Sequence, residues 1–267
     1  YWKSNNISTI GNSLSVQVTL TGLSFLVKSP NENEVLHFSE RKFSSQYNPQ
    51  DLLVALKAEI ENEPLLKACT EITVIYAHST YTLVPDTLFD ETKLSEYLKF
   101  NTKILAGDFI AYDTVDEHKI HVVYVPLVNV NNYFFDTFGS FQYYHATTLL
   151  LQQLLKKEQS GDTKKVYVHV GRDEIDLVLI DSGALVLCNT YPYRTPEDLA
   201  YYVLFAFEQL KWSPESVETV LLGAVSEDDA TYAILYTYIR NISVGYEEAS
   251  LSIDGTDAHQ YFLLKNT

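Results

Sequence analysis

The residues best suited to chemistry are scattered along the chain. His118 and His121 have the separation of a metal-binding pair. On an extended strand, positions three apart face opposite sides, so a surface turn is the expectation. No Gly-x-Ser-x-Gly occurs, and no serine or cysteine stands in a recognisable nucleophile motif. Cys69 and Cys188 lack CxxC partners, which fits two buried free thiols in a reducing compartment. Lys156-Lys157 and Lys164-Lys165 are pairs and do not amount to a basic patch. With 35 acids against 19 Lys and Arg the net charge is −16, a field that repels phosphate backbones. No nucleic-acid partner is expected. Tyr133, Phe134, Phe135, Phe138, Phe141, Tyr143 and Tyr144 crowd one stretch; core packing is favoured there over a ligand surface.

The elements that must position these residues are clearest from Lys165 to Gly223. Val166, Val168 and Val170 alternate with Tyr167 and His169, the period of a strand. Gly171-Arg172-Asp173 breaks the run, and Glu174 to Ile180 resumes it. Asp181-Ser182-Gly183 is turn chemistry, and Ala184 to Cys188 reads as a third strand of an antiparallel meander. Thr195 can cap the following helix, with Pro196 in its first position and Asp198 completing a box-like start. Thr219 to Leu222 is then a short strand closed by Gly223.

A second copy of this order stands nearer the N-terminus. Asn48-Pro49-Gln50-Asp51-Leu52 parallels Thr195-Pro196-Glu197-Asp198-Leu199, and Glu71-Ile72-Thr73-Val74 parallels Glu218-Thr219-Val220-Leu221. Both pairs lie 147 positions apart (196 − 49 and 218 − 71). Strands at Leu14 to Leu20, Leu23 to Lys28 and Val35 to Phe38 precede the first helix, so an internal duplication is expected. The block at about 82–125 has no counterpart and reads as an inserted α+β subdomain. The expected division is residues 1–145, a first lobe with this insert, and 146–267, a connecting helix and a second lobe. The 267 residues contain no stretch long enough to span a membrane and no basic segment followed by an apolar one at the start. A cytoplasmic location without membrane insertion is the expectation.

This arrangement resembles the actin-like ATPase fold of the ribonuclease H-like superfamily: an α/β protein of two lobes built from duplicated βββαβα modules. In that family the first hairpin of each lobe is a phosphate loop, with Asp ending the first strand to hold hydrated magnesium and Gly in the turn. Here the first hairpin reads Val18-Thr19-Leu20-Thr21-Gly22-Leu23 and the second Val168-His169-Val170-Gly171-Arg172-Asp173. Each keeps a glycine, and neither carries an acid on the strand before it. Leu221-Leu222-Gly223-Ala224 keeps one glycine of the family's adenosine loop, while Tyr76-Ala77-His78-Ser79 offers no acid or glutamine to orient a water. Two-metal nuclease chemistry needs clustered carboxylates, and Asp176 and Asp181 find no acidic partner on the first strand.

The Pro-x-Asp-Leu order, Asp181-Ser182-Gly183-Ala184-Leu185 and Asp198-Leu199-Ala200-Tyr201-Tyr202 are similar to a bacterial domain-of-unknown-function family (family 3822), chiefly from Bacteroidetes, with an actin-like fold. That resemblance brings no catalytic residues, metal ligands or cofactor to transfer. It implies a non-catalytic binding or scaffold protein with an unknown protein partner; the alternative is a divergent ATP-binding or ATP-hydrolysing member of the actin, Hsp70 and sugar kinase superfamily. Gly22, Gly171, Arg172 and Gly223 are the candidate ligand-cleft residues.

Overall fold

Apolar residues at strand and helix spacing set the element order. The computed structural model describes residues 11–30, 34–99, 104, 107–115, 118–245, 251–257 and 259–267. Its first half contains β1 (Ser13–Thr19), β2 (Gly22–Lys28), β3 (Val35–Lys42), α1 (Pro49–Asn62), α2 (Pro64–Lys67), β4 (Glu71–Tyr76), β5 (Tyr81–Pro85), α3 (Leu94–Leu98), β6 (Ala111–Val115), β7 (Ile120–Tyr124), α4 (Val128–Phe138) and β8 (Gln142–His145). There follow α5 (Ala146–Glu158), β9 (Lys164–Val170), β10 (Glu174–Asp181), β11 (Ala184–Pro192), α6 (Pro196–Leu210), β12 (Glu218–Gly223), α7 (Ala230–Tyr238), β13 (Asn241–Val244) and α8 (Phe262–Lys265). The sequence reads as a polar lead-in over Tyr1 to Ser13, a helix over Thr92 to Phe100 and a strand over Ile242 to Tyr246; residues 1–10, Phe100 and Tyr246 lie outside the described residues.

The chain divides into two compact units, Tyr1–Leu149 with Leu263–Thr267, and Leu150–Phe262. The first holds a five-stranded sheet ordered β3-β2-β1-β4-β8 and a three-stranded sheet ordered β5-β7-β6. In the larger sheet β1 pairs antiparallel with β2 and parallel with β4, and β4 pairs parallel with β8. The second unit repeats the pattern as β11-β10-β9-β12-β13. There β9 is antiparallel to β10 and parallel to β12, and β12 is parallel to β13. This is an α/β fold of the actin-like kind, with a small α+β insert in the first unit.

Central strands of such sheets are buried on both faces and therefore carry near-continuous apolar runs. Leu14, Val16 and Val18 of β1, and Val166, Val168 and Val170 of β9, are all buried. In the second unit β9, β10 and β12 pack against Leu199, Val203 and Phe207 of α6 and Leu235 of α7. On β9 the alternate residue Tyr167 is also buried and donates its hydroxyl to Glu158 of α5 at 2.6 Å. The insert has a core of its own, Val84, Leu98 and Val123. β11 continues to Pro192, beyond the expected Cys188, because β10 supplies partners for its whole length. Cys188 is half-buried rather than buried, while Cys69 is buried and its thiol is pushed up to about 11 by that burial.

Local chemistry starts both long helices where the sequence places them. Asn48 accepts from the amides of Gln50 and Asp51 at 2.9 Å ahead of Pro49. Thr195 and Asp198 form a reciprocal capping box, with the Asp198 amide donating to the Thr195 hydroxyl and the Thr195 amide to the Asp198 carboxylate. Four amides at a helix start have no partner within the helix, so a cap that satisfies two of them stabilises it. Replacing Thr195 by alanine is expected to cost about 1 kcal/mol, read as a lower urea midpoint with an unchanged slope.

Candidate functional site

In open α/β sheets, ligands bind at the C-terminal ends of the parallel strands. In the second unit this edge contains Gly171, Arg172 and Gly223. Gly223 pairs with Val170 across the β9–β12 ladder, which brings it beside the hairpin that begins at Gly171. A Cβ on Gly223 would lie 2.3 Å from the Val170 carbonyl oxygen, and its φ of +84° belongs to the left-handed region. A Cβ on Gly171 would lie 2.8 Å from the Glu174 carbonyl oxygen. Both glycines therefore answer a close approach of backbone. Arg172 is exposed at the hairpin tip.

Four amides at this edge are committed within the chain. Gly171 donates to the Glu174 carbonyl at 2.9 Å, Gly223 to that of His259 at 3.0 Å, Ala224 to that of Val170 at 2.7 Å and Val225 to that of Gly223 at 3.0 Å. The Tyr193 hydroxyl donates to the Gly171 carbonyl at 2.7 Å. One residue before Val170 on β9, His169 Nδ1 lies 3.0 Å from Asp176, whose other oxygen accepts from the Thr190 hydroxyl at 2.6 Å. Asp176 of β10 is thus held from both neighbouring strands, β9 and β11. Asp181 accepts instead from Ser182 at the opposite end of β10.

Gly22 belongs to the first unit. The β1–β2 hairpin turns on two residues, Leu20 and Thr21. Their carbonyls accept from the amides of Tyr47 and Phe43 at 2.8 and 3.0 Å, and the Thr21 amide donates to the Thr19 hydroxyl at 3.2 Å. The rings of Phe43 and Tyr47 stack with centroids 4.0 Å apart. A Cβ on Gly22 would lie 2.9 Å from the Arg41 carbonyl oxygen. The Ala77 amide donates to the Val18 carbonyl at 3.0 Å, the counterpart of the Ala224 bond in the other unit.

The first unit holds a polar cluster that the sequence did not reveal. His78 follows β4 and His145 ends β8, both at the C-terminal edge of the parallel strands. Asp113 comes from β6 of the insert. One Asp113 oxygen accepts from the His145 amide and the Thr148 hydroxyl, each at 2.7 Å, and the other from Tyr124 at 3.1 Å. The Thr147 amide donates to His145 Nδ1 at 3.2 Å, which leaves the ring proton on Nε2, 2.9 Å from the His78 carbonyl. The Thr80 amide likewise donates to His78 Nδ1 at 3.2 Å. The proton of that ring sits on Nε2, which is buried with no well-formed hydrogen bond among the described residues. The two imidazoles meet edge to face at 5.0 Å.

Burial dominates the electrostatics of this cluster. It pushes the Asp113 carboxyl up to about 6 against the pull of its three donors. It lowers His78 to about 4, opposed by the nearby Val125 carbonyl, and holds His145 well below the ordinary histidine range, helped by His78. The arrangement can store or release a proton near pH 6, and it ties the insert to the main sheet through charge-assisted bonds. Spacing gave no hint of it, because its acid comes from the block with no counterpart in the second unit.

The other chemical candidates resolve into packing. His121 is buried, not in a surface turn; it lies 3.0 Å from Asp86 and 3.2 Å from Thr114, and stacks on Phe89 with centroids 3.8 Å apart. No group of three or more potential metal ligands occurs among the described residues. Phe134 is fully buried beside Phe138 and Phe141, whereas Phe135 is 65% exposed.

The polar cluster imposes a signed pH dependence. Asp113 has a folded value of about 6 against an ordinary 3.8, so its carboxylate costs stability above about pH 6 and the cost fades toward pH 4. His78, at about 4 against an ordinary 6.5, acts oppositely: its contribution is present above pH 6.5 and is lost as pH falls toward 4. Asp113→Asn removes the first effect and keeps the acceptor oxygen. The variant is expected to melt higher than the parent at about pH 7.5, with the difference shrinking by about pH 4.5. A Tm difference that is negative or independent of pH would contradict the assignment.

Comparison with known proteins places this geometry. Among solved structures, a Bacteroides thetaiotaomicron VPI-5482 protein with actin-like ATPase fold and unknown function is similar at 20% identity and TM-score 0.79, covering 90% of this chain and 92% of its own. The PilM–PilN type IV pilus biogenesis complex matches at 12% identity and TM-score 0.58, covering 86% of this chain and 87% of that one. The ethanolamine utilization protein EutJ from Carboxydothermus hydrogenoformans matches at 9% identity and TM-score 0.52, covering 96% and 88%. No curated protein sequence matches. Residues 3–242 match the family described as protein of unknown function (DUF3822), and the chain belongs to that family.

Proposed function

We propose that this chain is a non-catalytic binding or scaffold protein of the actin-like fold, acting in the cytoplasm through a protein partner. The observation that carries the reading is the commitment of the amides of Gly171, Gly223, Ala224 and Val225 to carbonyls of the same chain. A phosphate cradle needs such donors free and converging on the anion. The strands leading into the two hairpins end in Val18-Thr19 and His169-Val170, so they bring no carboxylate to position magnesium. On this reading the candidate-cleft glycines serve close backbone packing rather than a ligand. The shared strand order and the common offset of the two modules support an origin by internal duplication. The PilM–PilN complex is a parallel at the level of fold, in which a chain of similar architecture belongs to a type IV pilus biogenesis complex. Among the described residues no helix is long and apolar enough to cross a membrane.

The competing reading is a divergent ATP-binding or ATP-hydrolysing protein. One observation favours it: the buried Nε2 of His78, which has no well-formed hydrogen bond among the described residues, lies just beyond the end of β4, the edge where such folds receive ligands. Thermal unfolding with increasing Mg-ATP separates the two, because a ligand of the native state raises stability with its concentration. An unchanged Tm up to millimolar nucleotide is the expected outcome. A rise that grows with nucleotide concentration would establish the competitor.

A further inference from the structure

The two long helices that open with Pro49 and Pro196 occupy the same place in the same strand order, so each is a control for the other. Their outward faces differ. On α6, Tyr201 is 60% and Phe205 is 44% exposed, and their rings stack at 5.8 Å. Subtracting 147 from each number gives Val54 and Ala58 on α1. Valine and alanine therefore satisfy the fold at these two positions. The aromatic pair of α6 adds apolar area that neither the helix nor the sheet requires.

The charge carried by α6 itself is of one sign. Glu197 and Glu208 are exposed above and below the aromatic pair, and α6 contains no lysine or arginine from Pro196 to Leu210. Glu208 stands in the last helical turn, where the macrodipole disfavours an anion. The nearest cations in sequence, Arg194 and Lys211, lie beyond the helix ends, and Lys211 closes the helix in a left-handed conformation with φ +55°. On α1 the helix supplies a cation of its own: Lys57 lies over the Tyr133 ring of α4 at 5.2 Å, while Val54 is 68% exposed. An acid-bracketed aromatic ridge with no cation of its own calls for a cationic, apolar complement.

We propose that the outward face of α6 docks a basic amphipathic helix of a protein partner. The proposal rests on the binding-protein reading above and specifies its surface and its partner's chemistry. Tyr201 and Phe205 form a ridge of residues four apart, which fits the groove of a second helix. Glu197 and Glu208 are separated by about 16 Å along the axis, so cations about eleven residues apart on the partner meet both. An apolar stripe between those cations covers the two rings.

The test uses the full chain and three fluorescent peptides: a helix with lysines eleven positions apart around a leucine stripe, the same peptide with glutamate for lysine, and a scrambled lysine peptide. Anisotropy titration is expected to show binding of the first alone. Tyr201→Ala with Phe205→Ala should weaken it at least about tenfold. Glu197→Gln with Glu208→Gln should weaken it by several-fold and flatten its salt dependence. Circular dichroism should stay unchanged in both variants and Tm should move by only a few degrees, since all four side chains are exposed. Equal binding of the scrambled peptide, or no effect of either variant pair, would overturn the proposal. So would sedimentation showing a dimer of the parent chain that Tyr201→Ala with Phe205→Ala dissolves, since the occupant would then be a second copy. The Mg-ATP titration is independent of these readouts. Failure of the peptide arm with no nucleotide response removes this surface and leaves the scaffold reading standing.

Discussion

A buried backbone amide must find an acceptor, and this chain supplies such acceptors to itself at the C-terminal ends of its parallel strands, where open α/β sheets commonly bind ligands. Ala77 bonds to Val18 and Ala224 to Val170, each joining the residue after a parallel strand to its neighbour strand. Gly223 completes the arrangement by donating to His259. An unpaired buried donor costs about 1–3 kcal/mol, so a ligand entering here would have to replace bonds already made. The glycines follow from the same constraint. At Gly223 the carbonyl of Val170 stands where a side chain would begin.

Much of this architecture was legible because its determinants are local. Asn48-Pro49 and Thr195-Pro196 specify helix starts through hydrogen bonds two or three residues away, and the structure places both caps as read. The alternation in β9 and the short run in β12 mark central strands whatever lies elsewhere. Recurrence of the same signals at one offset conveyed the order of elements along the chain. The length of β11 was not legible, since its last residues are held by β10 rather than by any signal of their own.

The candidate site was less legible, for a physical reason. Gly171 and Gly223 come together through a ladder pairing that their distance in sequence does not disclose, while Gly22 lies in the first unit with Arg41 and the stacked Phe43 and Tyr47. The cluster of Asp113, His78 and His145 was missed because the acid arrives from the insert, after a long excursion between β4 and β8. His121 was misread as a surface residue because its partner Asp86 lies 35 positions away in sequence. Charges that meet only through tertiary pairing leave no periodic trace.

Hydrogen exchange at individual amides tests the central claim most directly. Gly223, Ala224 and Val225 should exchange slowly in the free protein, as amides bonded within the chain do, and Mg-ATP should leave their rates unchanged. Fast exchange at these positions that becomes slow when nucleotide is added would contradict the account, because it would reveal donors held open for a phosphate.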